Sequence, residues 1–455
     1  MNVVGLAINK DYKIFMYGIL LIEILFLLLL VKSTTFGVLF WIIVCGSFFI
    51  YLYPEFGFAV PFTINILLYL LFDFVKVSIP LPAFFSYLIL ISAGTGIYLV
   101  KREEKEQYNF NNTLFWLSIA IGVILILGVP YSANKIYGIK KVFLYFTFNM
   151  PVFIVAILMR KDYKAIEKLL AFLVLIGLII AIISNFSAQS NIFFKFVRFR
   201  LSDNVGPLYV GRTLGISSIA ALFFIIRMRN YFVKIFFILS LFMLISPIFW
   251  SGSRAPVLGI LMSFLFYYLL QPSQSLWRKI SVTFFSIGVT ILYFIQSGSQ
   301  VAARLATPIG AEASAAFRVL AWIKAVQDFL GSPILGIGTG GFVLKTPYLP
   351  FVYPHNLILE LASENGILGL LLITIFLFIA TKIGFKNINY YFKNNQFRET
   401  QISIAVMSIF AFCLFNSMFS GDIYSNAIVW WPIGLIIALA PDVFLKKNKE
   451  GPRSI

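Results

Sequence analysis

The stretch "YPHNLILELASENGILGLLLITIFLFIA", residues 353–380, decides the fold. It holds the single histidine of the chain, His355, and from Leu357 onward it is apolar over a length that crosses a bilayer core of about 30 Å as a helix. Runs of this kind recur from end to end. They predict fourteen spans, at 14–31, 36–53, 55–72, 80–100, 113–130, 142–159, 168–185, 207–226, 232–250, 255–270, 280–296, 357–380, 401–419 and 427–445. A chain that is 60% hydrophobic and 12% charged, with mean hydropathy +0.93, is more apolar than any water-soluble core of this size requires. The expected fold class is therefore all-α: a polytopic membrane protein of about 12–14 transmembrane helices, with one large outer loop carrying short surface helices.

The first apolar run is too long for a signal-peptide core and is expected to stay in the membrane. Cys45 and Cys413 both fall within expected spans, which excludes a disulfide framework. Four regions organise the chain: helices over 1–190, helices with outer basic segments over 191–296, the large loop 297–356, and the closing helices 357–455.

The net charge of +18 reads first as topology rather than as nucleic-acid binding. Alternate loops hold 22 of the 36 Lys and Arg, so the positive-inside rule makes those loops and both termini cytoplasmic. Of the basic residues left on the outer set, Lys135, Lys140 and Lys141 sit between two expected spans. Six arginines also lie there: Arg198, Arg200, Arg212, Arg254, Arg304 and Arg318. Arginine placed against the topological grain suggests a large anionic substrate handled on the outer face. Snorkelling at helix ends and contact with anionic headgroups are the competing readings.

Three outer segments carry this chemistry. "FKFVRFRLSDNVGPLYVGRTLG", 194–215, sets Arg200 before a turn and Arg212 at a span's start, and "SGSRAPVLG", 251–259, puts Arg254 among small residues. The long loop holds "AAFRVLAWIKAVQDFLGSPILGIGTGGF", 315–342. Residues 313–330 there predict a helix along the membrane surface, its apolar side formed by Phe317, Leu320, Ala321, Val326 and Phe329. Arg318 and Trp322 are four apart and share a face. A guanidinium fork beside an indole suits phosphate next to sugar.

"GIGTGG", 336–341, formally matches a dinucleotide fingerprint, but no strand precedes it, so it reads as a Gly-rich turn whose backbone can approach a substrate. One histidine and two cysteines give no His/Cys metal site, and the seven aspartates never form a DxD pair. Phosphate chemistry without such a grip would rest on Arg and Lys, with no cofactor.

"SGSRAP", then "FRVLAW", then "PILGIGTGGF", then "HNLILELASENGILGLLL" resemble, in order, the bacterial O-antigen ligase and O-antigen polymerase superfamily of multispanning glycosyltransferases. The resemblance covers about residues 195–380. It implies a GT-C-like fold in the bacterial inner membrane and transfer of a glycan from a polyprenyl (undecaprenyl) diphosphate carrier on the periplasmic face, without metal. It assigns Arg254 and Arg318 to the diphosphate, with Arg212 a further basic position, and sets His355 near the acceptor hydroxyl or the leaving group. Arg200 with Gly211 resembles the Arg-x10-Gly pattern of some polymerases. The expected partners are the lipid-linked glycan donor, a lipid-linked glycan or lipid A core acceptor, membrane lipids and a chain-length regulator, with no nucleic acid.

On the residues alone, His355 is the one group titrating near neutrality, suited to a proton transfer. Asn356 either holds its ring or caps the next helix. Glu360 either orients His355 or faces a neighbouring helix. Acceptor choice leaves two readings, a polymerase extending lipid-linked glycan and a ligase delivering it to lipid A core or protein. A transporter or flippase is the rival class, and it predicts charges near the bilayer midplane.

Overall fold

The computed structural model describes residues 53, 55, 113–190, 207–250, 253–281, 313–345 and 351–441. Arg200, the expected spans from 14–31 to 80–100 and nearly all of 280–296 lie outside the described residues. Within them the fold is helical, with no strand beyond one isolated bridge. The helices are α1 Thr113–Gly128, α2 Lys135–Leu144, α3 Met150–Leu158, α4 Tyr163–Ser190, α5 Pro207–Arg227, α6 Tyr231–Trp250, α7 Arg254–Leu269, α8 Ala313–Gly331, α9 Leu357–Lys393, α10 Phe397–Ser417 and α11 Ala427–Ala438. Six stretches are long and apolar enough to cross a membrane, and α1, α7 and α11 are shorter apolar helices. The chain is a polytopic membrane protein.

Packing follows small residues. The α10 helix is buried along most of its length between α5, α7, α9 and α11. A Cβ on Gly215 of α5 would meet the Phe412 ring of α10, and one on Gly177 of α4 would meet Ser217 of α5. Glycine lets these helices approach closely where apolar solvent gives no drive of its own. By contrast α6 shows Phe232, Phe236, Leu239 and Phe242 outward at three- and four-residue spacing, a face suited to lipid.

Two helices depart from regular geometry for identifiable reasons. Between α2 and α3 a π-helical turn, Tyr145–Asn149, precedes Pro151. Proline lacks an N–H and clashes with the carbonyl four residues back, and a widened turn relieves both. The turn aims Tyr145 at the Ser118 carbonyl (2.7 Å) and Asn149 Nδ2 at the Ile423 carbonyl (2.9 Å). In α9 the helix breaks at Gly366, φ 63° and ψ −153°, a conformation open essentially only to glycine. The break frees backbone groups that the 333–338 loop satisfies: Ile337 and Gly338 N–H donate to the Ser363 and Glu364 carbonyls at 2.9 Å, and Ile367 N–H to Pro333 at 2.7 Å.

Span limits depart from expectation in two places. Lys135–Leu158 is one helical run, so Lys141 lies inside a span rather than in a loop. The α9 helix runs on to Lys393, beyond the expected end near 380, because the break at Gly366 uses its first nine residues as a separate short helix.

Candidate functional site

Alternating helix direction brings 129–134, the start of α5, the head of α7, 332–345, 351–356 and 418–426 to one end of the bundle. His355 stands there. Phe351 pairs with Leu344 through two backbone hydrogen bonds of 2.8 and 2.9 Å, which closes the loop. The next residues bring His355 edge-on to Phe351 and Tyr353, with ring centroids 5.0 and 4.5 Å away. Its backbone is left-handed, φ 60°, a strained state for a residue with a side chain. Asn356 follows at once as the cap of α9, accepting from Ile358 and Leu359 N–H at 3.1 and 3.0 Å.

The α8 helix is held over this segment by a small core of Ala321, Ala325 and Phe342, with Leu344, Phe351 and Leu359 packed on it. The buried face is thus the alanine side. Leu320 and Val326 point out with Val319, Ile323 and Leu330, while small residues let α8 lie close to α9. Trp322 packs against Phe419, with centroids 5.8 Å apart. Arg318 and Arg212 both act on His355: burial first, then these two guanidiniums, lowers its pKa from 6.5 to about 4. The ring is neutral at physiological pH.

Arg212 is buried one turn into α5 and donates from Nη2 to the Asn416 and Ser420 carbonyls, both at 2.9 Å. Its Nε, both ring nitrogens of His355 and the indole Nε1 of Trp322 are buried with no hydrogen-bond partner among the described residues. These four atoms gather at one end of the bundle, where the acceptor oxygens of a ligand would satisfy the donors among them.

The segment from α6 to just past the break in α9, residues 238–374, matches the family model described as O-antigen ligase. Over those residues the chain is similar to the O-antigen ligase family, and the match supports the O-antigen ligase and polymerase superfamily and an activity of that general type. No curated protein matches the chain significantly.

The matched segment contains Arg254, Arg318, Trp322, His355, Asn356 and Glu360. Arg254 is the first residue of α7, at the site end, but the guanidiniums whose charge acts on His355 are those of Arg318 and Arg212. Asn356 spends its carbonyl on the cap and its Nδ2 on the Met418 carbonyl (3.2 Å), so its polar groups serve the protein rather than a substrate. Glu360 does not reach His355. It is 1% exposed and accepts from Lys141 Nζ at 2.6 Å, while Glu364 accepts from the same ammonium at 2.7 Å and from Gly340 N–H at 2.9 Å. The GIGTGG turn likewise meets protein: Gly336, Gly338 and Gly340 all have positive φ and abut the backbone of α9, α1 and α2, where any Cβ would collide.

Sequence reasoning missed Lys141 as a buried cation, and it missed the 416–426 segment. Asn416, Met418, Phe419, Ser420, Asp422 and Ile423 each touch an element of the site end. The available signal was an aspartate inside "NSMFSGDIYSNA" between two apolar runs.

Proposed function

We propose that the protein is a surface-polysaccharide polymerase that moves a glycan from a polyprenyl diphosphate to a second lipid-linked glycan, without metal or cofactor. The observation that carries this reading is the neutral His355, both ring nitrogens unpartnered among the described residues, within reach of two guanidinium charges. A hydroxyl of the acceptor attacks the anomeric carbon, its proton passes to a His355 ring nitrogen, and the bond to the diphosphate oxygen breaks with the electron pair leaving on the carrier. Arg318 and Arg212 meet the charge that develops there, with Arg254 on the same carrier. The indole N–H of Trp322, without a partner among the described residues, adds a donor to an oxygen of the substrate.

The site end carries fewer basic helix termini than the opposite end, where Arg160, Lys161, Arg227, Arg229, Lys393 and Arg398 gather. That asymmetry supports a periplasmic site in the inner membrane. The description of the matched family as O-antigen ligase favours a second reading, delivery of the finished chain to lipid A core or protein. Purified protein given a defined polyprenyl-diphosphate oligosaccharide, with a chelator present, separates them. A ladder of whole repeats lost in His355→Asn supports the polymerase; a single transfer to added lipid A core, with no ladder, supports the ligase. Neither product from folded protein would refute transfer and favour a transporter.

A further inference from the structure

The cations of the site end are balanced by a group of opposite character. Asp422 is buried at 1% exposure between α10 and α11, accepts from Tyr137 Oη at 2.7 Å, and is fixed by Ser425 N–H at 3.2 Å. Around it stand Tyr353 and Tyr424, both half-buried, with Tyr209 at the start of α5. Tyr353 lies 4.5 Å from His355 ring to ring, and Lys140 sits 5.9 Å over the Tyr424 ring.

We propose that Tyr353 and Tyr424, backed by Asp422, form the seat of the acceptor sugar; this rests on the transferase reading above. A phenol offers an apolar face and a polar tip, which matches a pyranose with its C–H face and its rim of hydroxyls. Asp422, buried and already holding Tyr137 Oη and Ser425 N–H, acts from behind the phenols through its charge rather than by contact with the sugar. Burial, then the charge of Asp422, raises the pKa of both phenols, so each keeps its proton and remains a donor. Contact with His355 places a sugar resting on Tyr353 one ring from the base that its hydroxyl needs.

The charges divide the work. Arg212 and Arg318 favour the diphosphate, whereas the charge of Asp422 disfavours it beside the two phenols. Tyr353 lies within the matched segment 238–374 and Asp422 and Tyr424 lie outside it, so the seat is shared between the two.

Full-length protein in detergent tests this with an acceptor carrying the repeat unit on a short alkyl chain. Lacking diphosphate, this compound accepts but cannot donate. In Tyr424→Leu and Asp422→Asn the acceptor KM is expected to rise about tenfold or more, which corresponds to about 1.4 kcal/mol of lost binding, with the donor KM unchanged. Tyr424→Phe keeps the ring and falls between. An acceptor KM within twofold of wild type in folded Tyr424→Leu overturns the proposal, as does an equal rise in both KM values. Saturation-transfer NMR with the alkyl compound is independent of turnover. Binding by wild type that Tyr424→Leu loses upholds the seat even if no transfer occurs, in which case the transferase reading alone falls. No binding by wild type overturns the seat.

Discussion

Lys141→Met should destabilise the protein far more than loss of one surface charge. At 2.6 Å and an effective dielectric of about 20, each Lys141–carboxylate attraction is about 332/(20 × 2.6), roughly 6 kcal/mol, against desolvation of several kcal/mol per ion. The intact cluster is thus near balance, but removing the ammonium leaves Glu360 and Glu364 buried, unneutralised and mutually repelling. Breaking a buried pair in this way costs about 3–5 kcal/mol. Methionine fills most of the lysine volume, so packing changes little. The triple variant Lys141→Met, Glu360→Gln, Glu364→Gln removes the stranded charges and should recover most of the loss. Stability would be read from SDS titration in mixed micelles, followed by helical circular dichroism. A single variant within 1 kcal/mol of wild type, or a triple variant no better than the single, would refute the charge argument.

Arg318→Lys keeps the charge but loses the planar fork, so transfer should fall at least tenfold, checked by initial rates at saturating acceptor. The neutral form of His355 predominates above its pKa of about 4, so an acid limb due to this residue should centre nearer 4 than 6.5 in the pH–rate profile. The sign for stability is the same: the advantage of burying a neutral ring is complete above 6.5 and lost as pH falls from there through about 4, and His355→Asn, which tolerates left-handed backbone, should flatten that decline. Gly366→Ala should sharply lower the yield of folded protein, measured by size-exclusion chromatography, because the Cβ would collide with the Ile334 carbonyl.

Among the described residues helix existence was legible because an apolar run needs nothing but length. The ends were less so: Lys141 read as a loop residue since charge normally marks the end of a span, and only the carboxylates of α9, more than two hundred residues away, make it a core residue. Arg318, Trp322 and His355 were readable because helix spacing and a lone imidazole are local facts. Asn356 as cap and Glu360 as counter-ion depended on which neighbour lay opposite. The 416–426 segment offers locally only an aspartate between two apolar runs; its place in the fold comes from what converges on it.

That convergence bears on how such proteins diverge and how they can be recombined. The matched segment ends at residue 374, yet Arg212, Trp322, Asn356 and Tyr137 all lean on a hinge of chain between Asn416 and Asp422. A hybrid trading only residues 238–374 with a relative would set one parent's Trp322 and Asn356 against the other parent's Phe419 and Met418. Exchange of 129–149 and 416–426 together with 313–366 keeps the mating surfaces from one parent. Drift in that short hinge, invisible to motif comparison, is a route by which a lineage can change its product without touching the histidine.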